Sequence, residues 1–587
     1  MSTKRRFVAL LLVLVTVLGA YVCTANANIT AGADNGYPNI LQYKDNVSSS
    51  SYVISSSSYV ITSPKGMAYF GTLSGVTDFK GKYIYLTCDL DMAGVEYTPF
   101  SVFAGYFDGM GHSIKNISIQ TKGTHSGIFG NAVSGSTIRC LGVEGGTISA
   151  VISNGEHRVG SIVGCLESGT LERCWSTATV TAVADSSVST ALTDISVGGI
   201  VGGGLWSPTI RDCYFAGTVN GVAHASGICD WAQGHYTNGV AKISNCLNFG
   251  TLNAEKTYPI ARYSGNILEA NKSIALTNCY FLDGCGETVD SWTNQVTKVS
   301  EDLLGSGELA YLLDGGNKAS HSGAWKQGEL FPEIAVNTGV YKLTLNINAK
   351  GVSSTSITYV NAGDKFSLSL ADKNAVITSS TSGAVCDGQT LVMPGCNTNA
   401  TVITSYPNIT EYDSNSSASA FVITNASGFT KFASVVNAGK DTFENKSVYL
   451  ICNVDLGSVS NFTPIGTYSS DWATAFKGSF YGNDHKVLNL NINLSSRDGA
   501  GLFGAAYGAT FNRLGIYNGS VTAANRVGGI AGYGDASLFE FCYNGADITS
   551  LTGTDGTAGL SGVARSNSVF NYCFNFGDIK ATVKAAA

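Results

Sequence analysis

Gly127-Ile-Phe-Gly130, followed by Thr137-Ile-Arg-Cys140 and Gly145-Gly-Thr-Ile148, is the unit of sequence from which the fold can be predicted. It contains three short runs of β-type residues separated by corners rich in small and polar residues. The same order returns about every 33 residues, and each unit begins with an isoleucine, which has glycines close by in all units but the last: Ile128, Ile162, Ile200, Ile228 and Ile260. Three short strands per repeat indicate a right-handed parallel β-helix, in which successive turns stack and bury a continuous core.

The repeat also occurs on a larger scale, because the chain contains two copies of one order of landmarks. Tyr37-Pro-Asn-Ile40 returns as Tyr406-Pro-Asn-Ile409, and Gly127-Ile-Phe-Gly130 returns as Gly501-Leu-Phe-Gly504. Between the copies the pattern changes to two-sided alternation, which is typical of a small β-sandwich-like module. We therefore predict an all-β chain with two copies of a right-handed parallel β-helix and this module between them.

The predicted division of the chain follows these changes of pattern. Helical spacing of apolar residues at 303–313 predicts a cap over the open end of the first stack, where unpaired strand edges would otherwise be exposed. The second copy shows neither further turns nor a cap, and we interpret it as truncated. The predicted segments are a signal peptide at 1–27, a Ser-rich leader at 28–65, a first β-helix with a C-terminal cap at 66–335, the small module at 340–405 and the second β-helix at 406–587.

The first residues have the pattern of a secretory signal peptide. Lys4-Arg-Arg6 precede an apolar run from Phe7 to Leu18, and the small residues Ala25 and Ala27 favour cleavage after Ala27. No later segment is long and apolar enough to span a bilayer, so no membrane span is expected in the mature chain. We expect a secreted or cell-surface protein.

The composition narrows the choice of partner. The net charge is −7, only 13% of the residues are charged, and no basic run occurs after the signal segment, so nucleic-acid binding is not expected. The hydrophobic content of 44% is ordinary and argues against a disordered chain. The expected partners are an extracellular glycan or a surface protein.

Cysteines recur at one strand of successive repeats. We predict that they form an inward column of small, unbridged thiols; a disulfide ladder is the alternative, although parallel side chains in register point the same way and bridge poorly. The column consists of Cys140, Cys174, Cys213, Cys246 and Cys279. A zinc site would need closely spaced pairs, so neither a metal nor a cofactor is predicted. Cys386 and Cys396 fall in one loop of the module, where a disulfide is a reasonable hypothesis.

The sequence offers few groups for catalysis. His112 and His485 occupy the same corner in both copies, but Tyr481 replaces Asp108, so an Asp–His pair would exist in only one copy and a structural role is favoured. Asp212, Asp230 and Arg211 lie on neighbouring repeats and would share a groove only if the fold brought them together. We therefore predict no catalytic residues.

At these motifs the chain resembles the GLUG-motif repeat proteins of microbial surfaces. The resemblance rests on Gly127-Ile-Phe-Gly130 and Gly501-Leu-Phe-Gly504, and on Gly105-Tyr-Phe-Asp-Gly-Met-Gly-His-Ser-Ile114, which is similar to a corner motif of that family. It implies an exported, adhesin-like β-helix, mostly without known chemistry.

Aromatic residues beside the strands are the candidates for ligand binding, because aromatic rings stack on sugars. The alternative is that they pack between turns or against loops. The predicted ligand-binding residues are Trp175, Trp206, Tyr214, Trp231 and Tyr236. The expected function is structural or adhesive, with a β-helix face that binds carbohydrate or protein. The competing hypothesis is a polysaccharide lyase or glycoside hydrolase on a pectate-lyase-like β-helix.

Overall fold

The computed structural model describes residues 37–43, 57–153, 155–185, 195–234, 239–263, 273–286, 296–316, 322–335, 338–552 and 555–582. Within these residues, two stacks of parallel strands flank a two-sheet module. The predicted fold class, an all-β chain with parallel β-helices, is confirmed; the stacks together make about 14 turns.

The first stack has parallel sheets that run along its length. Its first sheet contains Ser58–Ile61, Tyr83–Leu86, Tyr106–Asp108, Thr137–Arg139, Thr170–Glu172, Thr209–Arg211, Val240–Ser244 and Ser273–Thr277. Its second sheet contains Leu90–Asp91, Ser113–Lys115, Gly142–Glu144, Trp175–Ser176, Tyr214–Phe215, Leu247–Asn248, Cys279–Leu282 and Val296–Val299. The first sheet therefore begins at 58, inside the segment predicted as a leader.

The remaining strands close each turn of the first stack. A third sheet contains Ser118–Thr121, Thr147–Ile152, Thr179–Ala184, Thr218–Asn220 and Thr251–Asn253. Short pairings follow it, with strands His125–Ser126, His157–Val159, Ile195–Val197, His224–Ser226 and Lys256–Tyr258. The fourth sheet contains Phe100–Phe103, Phe129–Ala132, Val163–Glu167, Val201–Leu205, Cys229–Ala232 and Ala261–Tyr263.

The interior of the first stack is a continuous apolar column, as the repeat pattern requires. In the first sheet, register partners on successive turns fill it: Ile138, Leu171, Ile210, Ile243 and Leu276. The helix Pro64–Thr72 covers the start of this column through Met67 and Phe70, both fully buried. Short 3-10 helices lie beside it at Ile40–Gln42 and Leu73–Gly75.

The cysteine column differs from its prediction at one position. Arg139 pairs with Glu172 and Gly142 with Trp175, so Leu141, not Cys140, is the partner of Cys174. Cys140 instead occupies the corner itself, with φ of 49°. The inward cysteines are Cys174, Cys213, Cys246 and Cys279. Each thiol donates to the carbonyl oxygen two residues earlier, at 3.2–3.5 Å, which satisfies its only donor inside the core.

All fourteen cysteines among the described residues are unbridged. This includes Cys386 and Cys396, so the hypothetical bridge in the module is not present in the structure. Cys386 packs against the core that the module shares with the second stack.

The segment after the first stack does not lie where the cap was expected. It contains the short helices Glu301–Ser306 and Glu308–Leu313 and the antiparallel strands Trp325–Gln327 and Pro332–Ile334. Its apolar side chains pack on the outer face of the second sheet, against Tyr214, Leu247 and Tyr280. It covers the side of the stack, because a row of outward aromatic and apolar side chains there needs burial. We call residues 301–334 the side segment.

The module contains one sheet of four strands and one of three, as a sandwich-like module requires. The larger sheet has Val352–Asn361, Val340–Ala349, Thr398–Thr404 and Val376–Ser379, and the smaller has Lys365–Ser367, Thr390–Val392 and Val385–Asp387. Its buried residues, among them Leu345 and Leu368, belong to the same apolar cluster as the interior of the second stack. The module and the second stack therefore share one core.

The second stack repeats the first with fewer turns. A 3-10 helix at Ile409–Ser414 and the helix Ala426–Asn437 lie at its start. Its first sheet contains Ala420–Ile423, Ser447–Leu450, Ser479–Tyr481, Thr510–Asn512, Leu538–Glu540 and Val569–Asn571. The next contains Val454–Asp455, Lys486–Ala500, Gly515–Val527, Tyr543–Asn544, Asp547–Ser550, Phe574–Asn575 and Ile579–Ala581. The sheet equivalent to the fourth sheet contains Phe503–Tyr507, Ala531–Asp535 and Ser561–Arg565.

None of the helices in the described ranges is long and apolar enough to cross a membrane.

Candidate functional site

Two of the predicted ligand-binding residues, Trp175 and Tyr214, lie on the outer face of the second sheet but beneath the side segment. They are register partners with ring centroids 6.4 Å apart. The rings of Trp325 and Phe331 lie 6.2 and 6.4 Å from that of Tyr214, which is only 5% exposed, and burial raises the pKa of its hydroxyl. Because a sugar cannot stack on this covered ring, Tyr214 is not available as a ligand-binding residue. It attaches the side segment to the stack.

The other predicted aromatics are scattered. Trp206 lies at a corner with φ of 61°, and Tyr236 lies outside the described residues. Trp231 is half-buried on the fourth sheet, where the guanidinium carbon of Arg262 lies 4.8 Å from the centre of its ring. Arg262 is in turn fixed by the buried carboxylate of Asp230, at 2.9 and 3.1 Å. The first stack thus offers single aromatics but no open cluster formed from the predicted residues.

The acidic residues considered for catalysis are not brought together. Asp212 occupies a corner after the first sheet and accepts a hydrogen bond from Asn245 at 3.0 Å; burial raises its pKa to about 6. Asp230 lies on the fourth sheet and is paired with Arg262, while Arg211 pairs with Glu172. Each group is held by a separate structural contact, and they line no common groove.

The two corner histidines have different surroundings. His112 Nδ1 lies 3.3 Å from Oδ1 of Asp89. Burial alone would raise the pKa of Asp89, but its hydrogen bonds hold that pKa below its usual range. His485 is buried against Phe366 of the module, with centroids 5.6 Å apart, and burial lowers its pKa to about 4. Neither arrangement repeats the other, so no Asp–His pair is common to the two copies.

An aromatic cluster that sequence reasoning missed lies on the second stack. Tyr468 stacks on Tyr533 with centroids 4.5 Å apart, and Trp472 contacts Tyr507 at 5.0 Å and Tyr533 at 5.3 Å. Tyr468 and Tyr507 are each 41% exposed, whereas Tyr533 is 2% exposed and supports them from below. We call these four residues the aromatic platform.

A loop present in only one copy forms half of this platform. Pro99 and Gly105 are separated by five residues in the first copy, whereas the matching Pro464 and Gly478 are separated by thirteen. The additional residues follow Ile465, which pairs with Phe503 in the second stack's equivalent of the fourth sheet. They carry Tyr468 and Trp472 over the strands. This aromatic insertion was the available sequence signal.

Local hydrogen bonds hold the loop in place. Thr467 N donates to the carbonyl oxygen of Thr474 at 2.9 Å and closes the loop at its base. At its tip, Oδ1 of Asp471 accepts from Ser469 Oγ at 2.7 Å and from Ala473 N at 3.1 Å. Because both ends are fixed, the two loop aromatics hold their positions over the sheet.

Two arginines border the platform. The guanidinium carbon of Arg526 lies 5.4 Å from the ring of Tyr468, and that of Arg565 lies 5.5 Å from the ring of Tyr533. Nε and Nη2 of Arg526 both donate to Asp555, at 3.0 and 2.8 Å. The result is an open aromatic surface with polar groups at its rim, built half on strands and half on the loop. Within the described ranges, no group of three or more His, Cys, Asp or Glu residues is placed to hold a metal ion.

Fold and site together define the class of protein as a parallel β-helix repeat protein with an exposed aromatic surface. Comparison with family models finds no match. Over 137 residues the chain is 33% identical to halomucin of Haloquadratum walsbyi. The matched segment makes up 22% of this chain and about 1% of halomucin. A crystal structure described as a candidate immunoglobulin A1 protease from Bacteroides ovatus is similar at 18% identity and a TM-score of 0.30, over 47% of this chain and 91% of that one. A TM-score this low does not establish a common fold.

Proposed function

We propose that this protein is a secreted or cell-surface β-helix repeat protein of the GLUG type, and that it binds carbohydrate through the aromatic platform. The single observation that carries the proposal is the pair of tyrosine rings, each 41% exposed, held by Trp472 and Tyr533 over a parallel sheet. The apolar face of a sugar ring packs on such rings, while their hydroxyls and the rim arginines bind its oxygen atoms. The N-terminal signal pattern supports an extracellular location.

Rigidity supports binding over a purely structural role for the platform. Tyr533 extends from the central strand of its sheet, and Tyr507 from the neighbouring strand, whose other side is bonded through Tyr507 N to the carbonyl oxygen of Phe476. The backbone that carries both rings is therefore fixed before a ligand binds, which lowers the entropic cost of binding. Two rings of the platform, those of Tyr468 and Tyr507, remain exposed. By contrast, Tyr214 on the first stack is covered by the side segment.

The proposal is tested by applying the purified chain, without its first 27 residues, to a glycan array and measuring the affinity of any bound glycan by calorimetry. Tyr507→Ala is expected to weaken binding about tenfold or more, because it removes one of the two exposed rings. Tyr83→Ala is the matched control, since Tyr83 is 43% exposed on the first stack, away from the platform. Absence of any glycan binding by the unaltered chain, or equal effects of the two substitutions, would refute the proposal. Appearance of new reducing ends in the bound glycan would instead support the lyase or hydrolase hypothesis.

A further inference from the structure

A buried carboxylate oxygen beside the aromatic platform has no hydrogen-bond partner. Asp535 is 8% exposed, and no donor lies within reach of its Oδ1. Its register partners on the adjacent strands are Tyr507 on one side and Arg565 on the other. Buried carboxylate oxygens are almost always paired, so this one requires an explanation.

The first copy shows how the same position is satisfied where the aromatic loop is absent. The glycine-flanked motifs align Glu167 with Asp535 and Asn131 with Ala505. In the first stack, Nδ2 of Asn131 donates to Oε1 of Glu167 at 3.1 Å. Ala505 has no such donor. The second copy has therefore lost the partner of this carboxylate at the place where it has gained the platform.

We infer, on the basis of the proposed function, that Asp535 binds the hydroxyl groups of a neutral sugar stacked on Tyr507. A carboxylate accepts charge-assisted hydrogen bonds from hydroxyls, and the sugar takes the place of the amide that Asn131 supplies in the first copy. Arg565 is exposed and forms no ion pair with any described residue, so its N–H groups donate to the sugar oxygens from the other side. Tyr507 and Arg565 are exposed side chains on the two strands that flank Asp535.

Charges around the platform favour a neutral sugar over an acidic one. Of the two rim arginines, Arg526 is paired with Asp555, whereas Arg565 has no ion pair with a described residue. Asp535 is buried beside Tyr507, and the exposed Asp471 lies at the tip of the loop that carries Tyr468 and Trp472, so both add negative charge near the platform. A uronate or sulfate would bring a second negative charge toward a poorly solvated carboxylate, where repulsion is only weakly screened.

The test uses four hexasaccharides as probes: mannohexaose, cellohexaose and xylohexaose, which are neutral, and a galacturonate hexamer, which is acidic. Binding is measured by calorimetry for the unaltered chain, for Asp535→Asn and for the matched control Glu167→Gln. At least one neutral probe is expected to bind more tightly than the acidic one. Asp535→Asn is expected to weaken its binding about tenfold, and Glu167→Gln to leave it unchanged.

Thermal unfolding separates a ligand contact from a structural role. Asp535→Asn removes an unpartnered buried charge, so its Tm is expected to equal or exceed that of the unaltered chain while binding is lost. Binding that is equal in Asp535→Asn and the unaltered chain, or a preference for the acidic probe, would overturn the assignment of Asp535 while leaving carbohydrate binding intact. Absence of binding to the probes and to the whole array would overturn the proposed function and this assignment with it.

Discussion

Asn245 donates a hydrogen bond from its side-chain amide to Oδ1 of Asp212, 3.0 Å away on the preceding turn of the first stack. Asn278 donates in the same way to Oδ1 of Asn245 at 2.9 Å. All three residues adopt the left-handed conformation, with φ of 52–55°, which asparagine and aspartate tolerate better than most residues. The ladder therefore stabilises both the corner and the stacking of one turn on the next.

Substitution of Asn245 is expected to separate these two contributions. Asn245→Ala loses the bond to the buried Asp212, at a cost of about 1–3 kcal/mol, and places alanine in a conformation that it disfavours. Asn245→Gly loses the same bond without that conformational cost. Thermal unfolding should therefore rank the unaltered chain above the glycine variant and the glycine variant above the alanine variant. Equal Tm values for the two variants would contradict a conformational contribution at this corner.

The thiols of the stack are expected to be free. Titration with a thiol reagent in denaturant, without reductant, should detect all fourteen cysteines of the chain after residue 27, because none is bridged in the structure. The same reagent should react slowly with Cys174, Cys213 and Cys246 in the native protein, since they are fully buried and burial impedes access. Detection of only a few thiols in denaturant would favour the disulfide ladder.

The sequence predicts the stacked fold well because its period is a direct consequence of geometry. One side chain per strand must point inward on every turn, so Ile138, Leu171 and Ile210 recur at fixed positions. The error at Cys140 has the same origin. Cys140 follows Thr137 by three positions, whereas Cys174 follows Thr170 by four. The backbone register therefore aligns Cys140 with the corner residue Arg173 and not with Cys174.

The candidate site was harder to predict because it lies where the repeat is interrupted. Tyr468 and Trp472 belong to a loop with no counterpart in the first copy, and their contacts with Tyr507 and Tyr533 join residues from three separate segments. No periodicity places such a loop over a sheet. The burial of Tyr214 was equally hidden, because the side segment that covers it begins more than eighty residues later in the chain.

The stability of the second stack is expected to fall on mild acidification because of His485. Burial lowers the pKa of this imidazole to about 4, from a value near 6.5 in the unfolded chain. As pH falls below about 6.5, the imidazole of His485 takes up a proton in the unfolded chain but not in the folded protein. Stability is therefore lost between about pH 6.5 and 4, by at most about 3 kcal/mol.

The measurement is the free energy of unfolding of the unaltered chain and of His485→Gln between pH 4 and 7. The glutamine variant should lose less stability over this range, since glutamine does not titrate. His112→Gln, at the matching corner of the first stack, is the control and should retain the acid-dependent loss. Parallel pH profiles for the unaltered chain and His485→Gln would refute the role of His485.

Lys486 joins the side segment to the second stack, and this contact is expected to depend on pH in the alkaline range. Its Nζ donates to the carbonyl oxygens of Gly305 at 3.0 Å and Glu329 at 3.3 Å, and it lies 5.3 Å from the ring centre of Tyr517. Burial lowers its pKa to about 8.

Between pH 8 and about 10.5 the unfolded state binds more protons than the folded state, so the contribution of Lys486 to stability rises with pH in that window. The measurement is the difference between the free energies of unfolding of the unaltered chain and of Lys486→Met. This difference should increase from pH 8 to 10. A difference that stays constant or decreases would show that the ammonium group is solvated in the folded protein.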